Sequence, residues 1–218
     1  MNSLFIFLLS ESILFPLIAG LVRLPRIKKS SYQPFFILLV VGAFNELLSG
    51  FLIKVLHAHN AVSNNLYSLA EWLLIAWQFY TWGRIPKRTS LFYILVALPC
   101  VVWVVENLGF GQIVHFSPYF RVMKAFMIVL FSVNTINFMI THDYRNLFGN
   151  PTFLICIAFI IYFIYRIVYQ WAYETSFASP NETKVFIIML FGYVNALTNI
   201  IFAIALLRIP PPQKFTLK

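Results

Sequence analysis

Seven apolar runs, separated by short breaks, leave this chain few folds to adopt. They fall near residues 3–23, 34–56, 64–83, 89–108, 118–141, 151–173 and 184–207. A hydrocarbon core about 30 Å thick takes about 20 helical residues to cross, which each run supplies. The breaks carry turn chemistry: Pro25, the Asn60–Asn65 cluster, Pro86, Gly109–Gly111, Gly149–Pro151 and Ser179–Asn181. Runs this continuous do not alternate as barrel strands do, and an open sheet would leave backbone groups unpaired in lipid. The expected fold is therefore all-α, a single transmembrane domain over 1–218 built as a seven-transmembrane-helix bundle. Only 11% of the residues are charged, against about a quarter in soluble domains.

The basic residues set an orientation. With the N-terminus outside, eleven of the sixteen lysines and arginines fall in cytoplasmic segments: Arg23, Arg26, Lys28, Lys29, Arg84, Lys87, Arg88, Arg145, Arg208, Lys214 and Lys218. The outer loops hold only Lys54 and Lys184. This positive-inside bias predicts an outer N-terminus and a cytoplasmic C-terminus. It also accounts for most of the formal charge of +9, with anionic lipid headgroups as the partner and no nucleic acid. The first run reads as an uncleaved anchor, because Glu11 interrupts it and its basic residues follow it. Pro16 and Pro99 inside helical runs predict kinks.

The remaining bases, Arg121, Lys124 and Arg166, lie within predicted spans. At 1.5 Å per residue, all three fall in the outer half of the bundle. Glu11, Glu46, Glu71 and Glu106 fall at similar depths, in the first four helices. A charge facing lipid at mid-membrane costs about 2.5–3.5 kcal/mol, so these residues are expected to turn inward and pair. Arg166 is assigned Glu71 or Glu46 as its partner. Helical phase agrees: Asn64, Tyr67, Ser68, Glu71 and Gln78 share a face, as do Tyr162, Arg166, Tyr169 and Tyr173. More charges than packing needs suggest a ligand-binding pocket formed by Glu11, Glu46, Tyr67, Glu71, Arg121, Lys124, Tyr162, Arg166 and Tyr169. The ligand would be a small polar or amphiphilic molecule.

Other features read as structural. Asn195 and Asn199 on the seventh run, and Asn134 and Asn137 on the fifth, are expected to hydrogen-bond between helices. His57, His59 and His115 lie in predicted outer loops with generic spacing, so no metal is assigned. The chain contains no HExxH, GxSxG, P-loop or dinucleotide fingerprint, and no cofactor is assigned. Lys184 stands at the entrance of the seventh run instead of its middle, which argues against a retinal Schiff base.

The run Asn64-Asn-Leu-Tyr-Ser-Leu-Ala-Glu-Trp-Leu, with Asn195-Ala-Leu-Thr-Asn-Ile-Ile-Phe-Ala-Ile-Ala, resembles a group of uncharacterised bacterial seven-helix membrane proteins with a presumed sensory role. The resemblance implies residence in a bacterial inner (cytoplasmic) membrane and a cytoplasmic or membrane signalling partner. It carries over no established site residues. The 3+1+3 architecture of SWEET and PQ-loop transporters is the second comparison, although their Pro-Gln signature is missing from the helices. A receptor-like or sensory protein is the first expectation, a small transporter the second and an intramembrane lipid-modifying enzyme the third.

Overall fold

The computed structural model describes residues 11–83, 90–111, 113–142, 146–174 and 181–211, and side chains outside 11, 171–185 and 188. No strand occurs among the described residues. After a single 3-10 turn at Glu11–Ile13 come α1 (Leu14–Val22) and a four-residue turn of helix, Leu24–Ile27. The long helices are α2 (Gln33–Lys54), α3 (Ala61–Trp82), α4 (Ser90–Val104), α5 (Pro118–His142), α6 (Pro151–Glu174) and α7 (Asn181–Leu207). Among the described residues, five segments are long and apolar enough to cross a membrane: Gln33–Lys54, Ser90–Gly109, Pro118–His142, Pro151–Gln170 and Met189–Leu207. The chain is an all-helical integral membrane protein.

Proline and glycine chemistry punctuates these helices. Pro34 sits in the first turn of α2, and Pro118 and Pro151 open α5 and α6, where a missing N–H costs nothing. Gly83 ends α3 in the left-handed region, at φ 66°, which a side chain would resist. Pro16 also lies in a first helical turn, that of α1. A first-turn proline leaves the hydrogen-bond ladder intact, so the kink expected there has no cause. Pro99 is inside α4, which gives way to a π-helical turn at Val105–Gly109.

Only 28–44% of each membrane-length apolar window is buried. Most of their apolar surface faces outward, including Phe44, Leu47 and Phe126, as lipid contact requires. α3 is equally long at 22 residues but is not among the five, because Asn64, Asn65, Glu71 and Gln78 lower its apolarity. The packing gives the reason. α3 contacts α2, α4 and α5, and Asn65, Ser68, Glu71 and Gln78 are all buried. A helix flanked by other helices can carry polar groups provided they are paired. α5–α6, α6–α7, α2–α3 and α1–α7 are the most extensive neighbours.

One half of the interior is aromatic. Phe35, Phe159 and Phe202 meet edge to face, with centroids 5.0–6.0 Å apart. Phe79 packs on Phe131 at 5.5 Å, and Trp72 stacks on Phe131. Edge-to-face contact sets the positive rim of one ring against the negative face of the next. Gln78 closes this end of the bundle. Its Oε1 accepts from the backbone N–H of Phe35 at 2.8 Å, and its Nε2 donates to the Ser31 carbonyl at 2.6 Å. The polar half lies toward the α2–α3 and α4–α5 connections.

Candidate functional site: a charged cavity between five helices

Glu71 is the centre of the polar half. It occupies the interior face of α3, one turn after Tyr67 and Ser68, because these three residues share a helical face. Lys124, from α5, is fully buried. Its ammonium donates to Glu71 Oε2, to Ser68 Oγ at 2.6 Å and to the Ser68 carbonyl at 3.2 Å. All three ammonium protons therefore have an acceptor. Arg166, from α6, reaches the same carboxylate, with Nη1 at 3.3 Å from Oε1 and 3.4 Å from Oε2. The same nitrogen donates to Tyr162 Oη at 3.2 Å. One carboxylate thus joins three helices and faces two cations.

A cavity of about 230 Å³ adjoins this cluster. Its wall includes Glu46, Tyr67, Arg121, Tyr162, Arg166 and Tyr169, together with Gln170 and Phe191. Residues from α2, α3, α5, α6 and α7 therefore converge on one space, large enough for several waters or the polar end of a ligand. Gly42 keeps α2 close: a Cβ there would lie 3.1 Å from Tyr67 Oη and 2.9 Å from Ile13 Cδ1. A narrower space of about 70 Å³ shares Glu46, Tyr67 and Tyr162 with the first and continues past Glu71 to Asn195, Thr198 and Asn199. Phe159 and Phe202 line its far end.

Of the residues expected to form the pocket, Tyr67, Arg121, Tyr162, Arg166, Tyr169 and Glu46 line the larger cavity. Glu71 lines the narrower one. Lys124 lies behind Glu71, buried against Phe120, and lines neither space. Glu11 sits in the 3-10 turn before α1, and its side chain is outside the described residues. Of the two carboxylates available to Arg166, Glu71 is the one paired with it. Glu46 is exposed on α2 at the cavity wall. The side chains of Trp171 and Tyr173 likewise lie outside the described residues. Tyr119 and Trp77 are both exposed.

The helix-end chemistry was not expected from the sequence. The π-helical turn directs Glu106 and Asn107 inward, and both are buried. Glu106 accepts the backbone N–H groups of Tyr119 and Phe120, at 3.2 and 2.9 Å, and so caps α5. Asn65 gathers the α4–α5 connection around α3. Its Nδ2 donates to Asn107 Oδ1 and to the carbonyls of Ile113 and His115. Its Oδ1 accepts from Ser117 N and from Arg121 Nη2 at 3.3 Å. In α7, Asn195 and Asn199 both donate to Ser12 Oγ, at 3.3 and 2.8 Å. Asn134 and Asn137 instead lie exposed on α5, and among the described residues neither side chain makes the interhelical bond expected of it.

No protein-family model, curated protein or solved structure matches the chain. The class of protein follows from the fold: an integral membrane protein with a charged interior cavity.

Proposed function

We propose that the protein is a receptor-like or sensory seven-helix membrane protein of the bacterial inner membrane, with its N-terminus outside and C-terminus in the cytoplasm. In this reading α1 and α3 complete the seven spans, and the cavity opens in the outer half. A small polar or amphiphilic ligand enters it, rearranges the contacts of Arg166 with Glu71 and Tyr162, and shifts α6 and α7 against α3. A cytoplasmic or membrane partner reads that shift. The observation that carries this reading is the convergence of five helices on a polar cavity bordered by a shared ion pair. A purely architectural pair gains nothing from adjoining open space, whereas a ligand site needs both room and convergent polar groups.

The narrower space favours transport as a second reading. It runs from Glu71 toward Asn195 and Asn199 and ends at Phe159 and Phe202, which with Phe35 form an aromatic plug. A substrate site closed on one side by packed rings is what alternating access requires.

The test is thermal unfolding of the purified full chain in detergent with glycine betaine, choline, glucose, glutamate and inorganic phosphate. A ligand at 100 times its Kd adds about 2.7 kcal/mol of stability. Tyr162→Phe and Arg166→Gln should reduce that gain. Binding without flux in proteoliposomes supports the receptor, and saturable flux supports the transporter. A response unchanged by both substitutions counts against either use of the cavity.

A further inference from the structure

Arg121 stands where two spaces meet. It lines the 230 Å³ cavity and also a neighbouring space of about 160 Å³ bounded by Phe116, Tyr169 and Gln170. Its guanidinium is held from two sides. Nη2 donates to Asn65 Oδ1 at 3.3 Å, and Cζ lies 4.6 Å from the Phe116 ring centroid. Asn65 is itself fixed by Asn107 and by the carbonyls of Ile113 and His115, so the cation is positioned before any ligand arrives. Its Nε is buried and meets no acceptor among the described residues.

Glu46 borders the same cavity from α2, and two further carboxylates near it are engaged elsewhere. Glu71 faces both Lys124 and Arg166, and the Glu106 oxygens accept the N–H groups that open α5. Among the described residues no carboxylate lies within ion-pair distance of Arg121. A buried donor without an acceptor carries a desolvation penalty of about 1–3 kcal/mol, and a second cation, Arg166, lines the same cavity. Guanidinium presents planar donors that match the oxygens of a carboxylate or phosphate.

We propose that the cavity binds an oxyanion group, a carboxylate or phosphate, with Arg121 as its main donor and Arg166 as the second positive charge. The inference rests on the cavity being a ligand site, and names the chemistry of what it takes. Two sources share that chemistry: a small soluble acid and an anionic lipid headgroup.

The experiment uses the full chain and follows thermal unfolding with glutamate, succinate or inorganic phosphate, and separately in nanodiscs of phosphatidylcholine with or without phosphatidylglycerol. Choline and glucose, which carry no oxyanion, serve as the control set. Stabilisation by the soluble anions, weakened about 10- to 100-fold in Arg121→Gln, identifies a soluble acid. Stabilisation by phosphatidylglycerol alone, lost in the same variant, identifies a lipid headgroup. Arg121→Lys keeps the charge without the fork and should fall between wild type and Arg121→Gln, which separates anion binding from damage to the fold. If only choline or glucose stabilises the chain, the cavity is a ligand site and the oxyanion inference is wrong. If no compound in either set does, the ligand reading itself fails. An anion response equal in wild type and Arg121→Gln also overturns the assignment.

Discussion

Removing each member of the Glu71 cluster should cost the bundle a different amount, and the order follows from geometry. Glu71→Gln leaves Lys124 charged and 0% exposed, with only the two Ser68 oxygens and a neutral amide around it. Breaking a buried pair by removing one partner costs about 3–5 kcal/mol, since the remaining charge is uncompensated. Lys124→Met, which keeps the length of the side chain, leaves Glu71 its contact with Arg166 at 3.3 Å. The loss is then the ammonium's three hydrogen bonds, chiefly the charge-assisted one to the carboxylate, for about 1.5–3 kcal/mol. Arg166→Gln leaves the Lys124–Glu71 pair whole and removes the longer contacts of a side chain 16% exposed, for about 1 kcal/mol. The double variant Glu71→Gln/Lys124→Met removes both charges and should be more stable than Glu71→Gln alone, which requires a coupling larger than the cost of Lys124→Met by itself, about 1.5–3 kcal/mol. Reversible unfolding in mixed micelles, titrated with a denaturing detergent, gives all four values. The reasoning is refuted if Arg166→Gln is the most damaging single change, or if the double variant loses the sum of the two singles.

Three further outcomes are expected. Asn65→Leu should cost about 2–4 kcal/mol, because it leaves the carbonyls of Ile113 and His115 without their donor, and hydrogen exchange should quicken at residues 113–117. Glu106→Ala should cost about 1–2 kcal/mol by uncapping α5, and the loss should localise to exchange at Tyr119 and Phe120; equal loss across the bundle would contradict a local cap. Gly42→Leu should drive a side chain against Tyr67 and Ile13, whose atoms already lie 2.9–3.1 Å from a Cβ there, at a cost of about 1–3 kcal/mol. It should abolish any ligand-induced stabilisation, whereas Gly50→Leu, with nothing within 4 Å of a Cβ there, should leave it intact.

Much of the architecture was legible because lipid imposes simple requirements on length. Apolar runs bounded by proline and glycine locate the long helices to within a few residues, as at Pro118 and Pro151. Counting at 1.5 Å per residue also sets Glu71 and Arg166 at one depth. The same counting cannot say that Lys124 lies closer to Glu71, because depth and phase leave both bases facing the interior. Asn65 reads as part of a polar turn, since its five partners come from segments far away in the chain. Glu106 acts through a π-helical turn that no residue pattern marks. Asn134 and Asn137 show the opposite failure, polar residues at membrane depth that turn outward because the interior face of α5 is filled by Ala125, Ile128, Phe131 and Thr135.

The most direct test of the cavity is reaction of single cysteines at positions 64 and 169, both on its wall, with a membrane-impermeant methanethiosulfonate. Cys100 and Cys156 would first be replaced by serine and alanine, and right-side-out and inside-out vesicles compared. Water-connected thiols in the outer half should react from outside only, and more slowly when a ligand that stabilises the wild type is present. If neither thiol reacts from either side while a control at residue 59, in the exposed α2–α3 connection, does react, the space is sealed and the Glu71 cluster is a packing element alone.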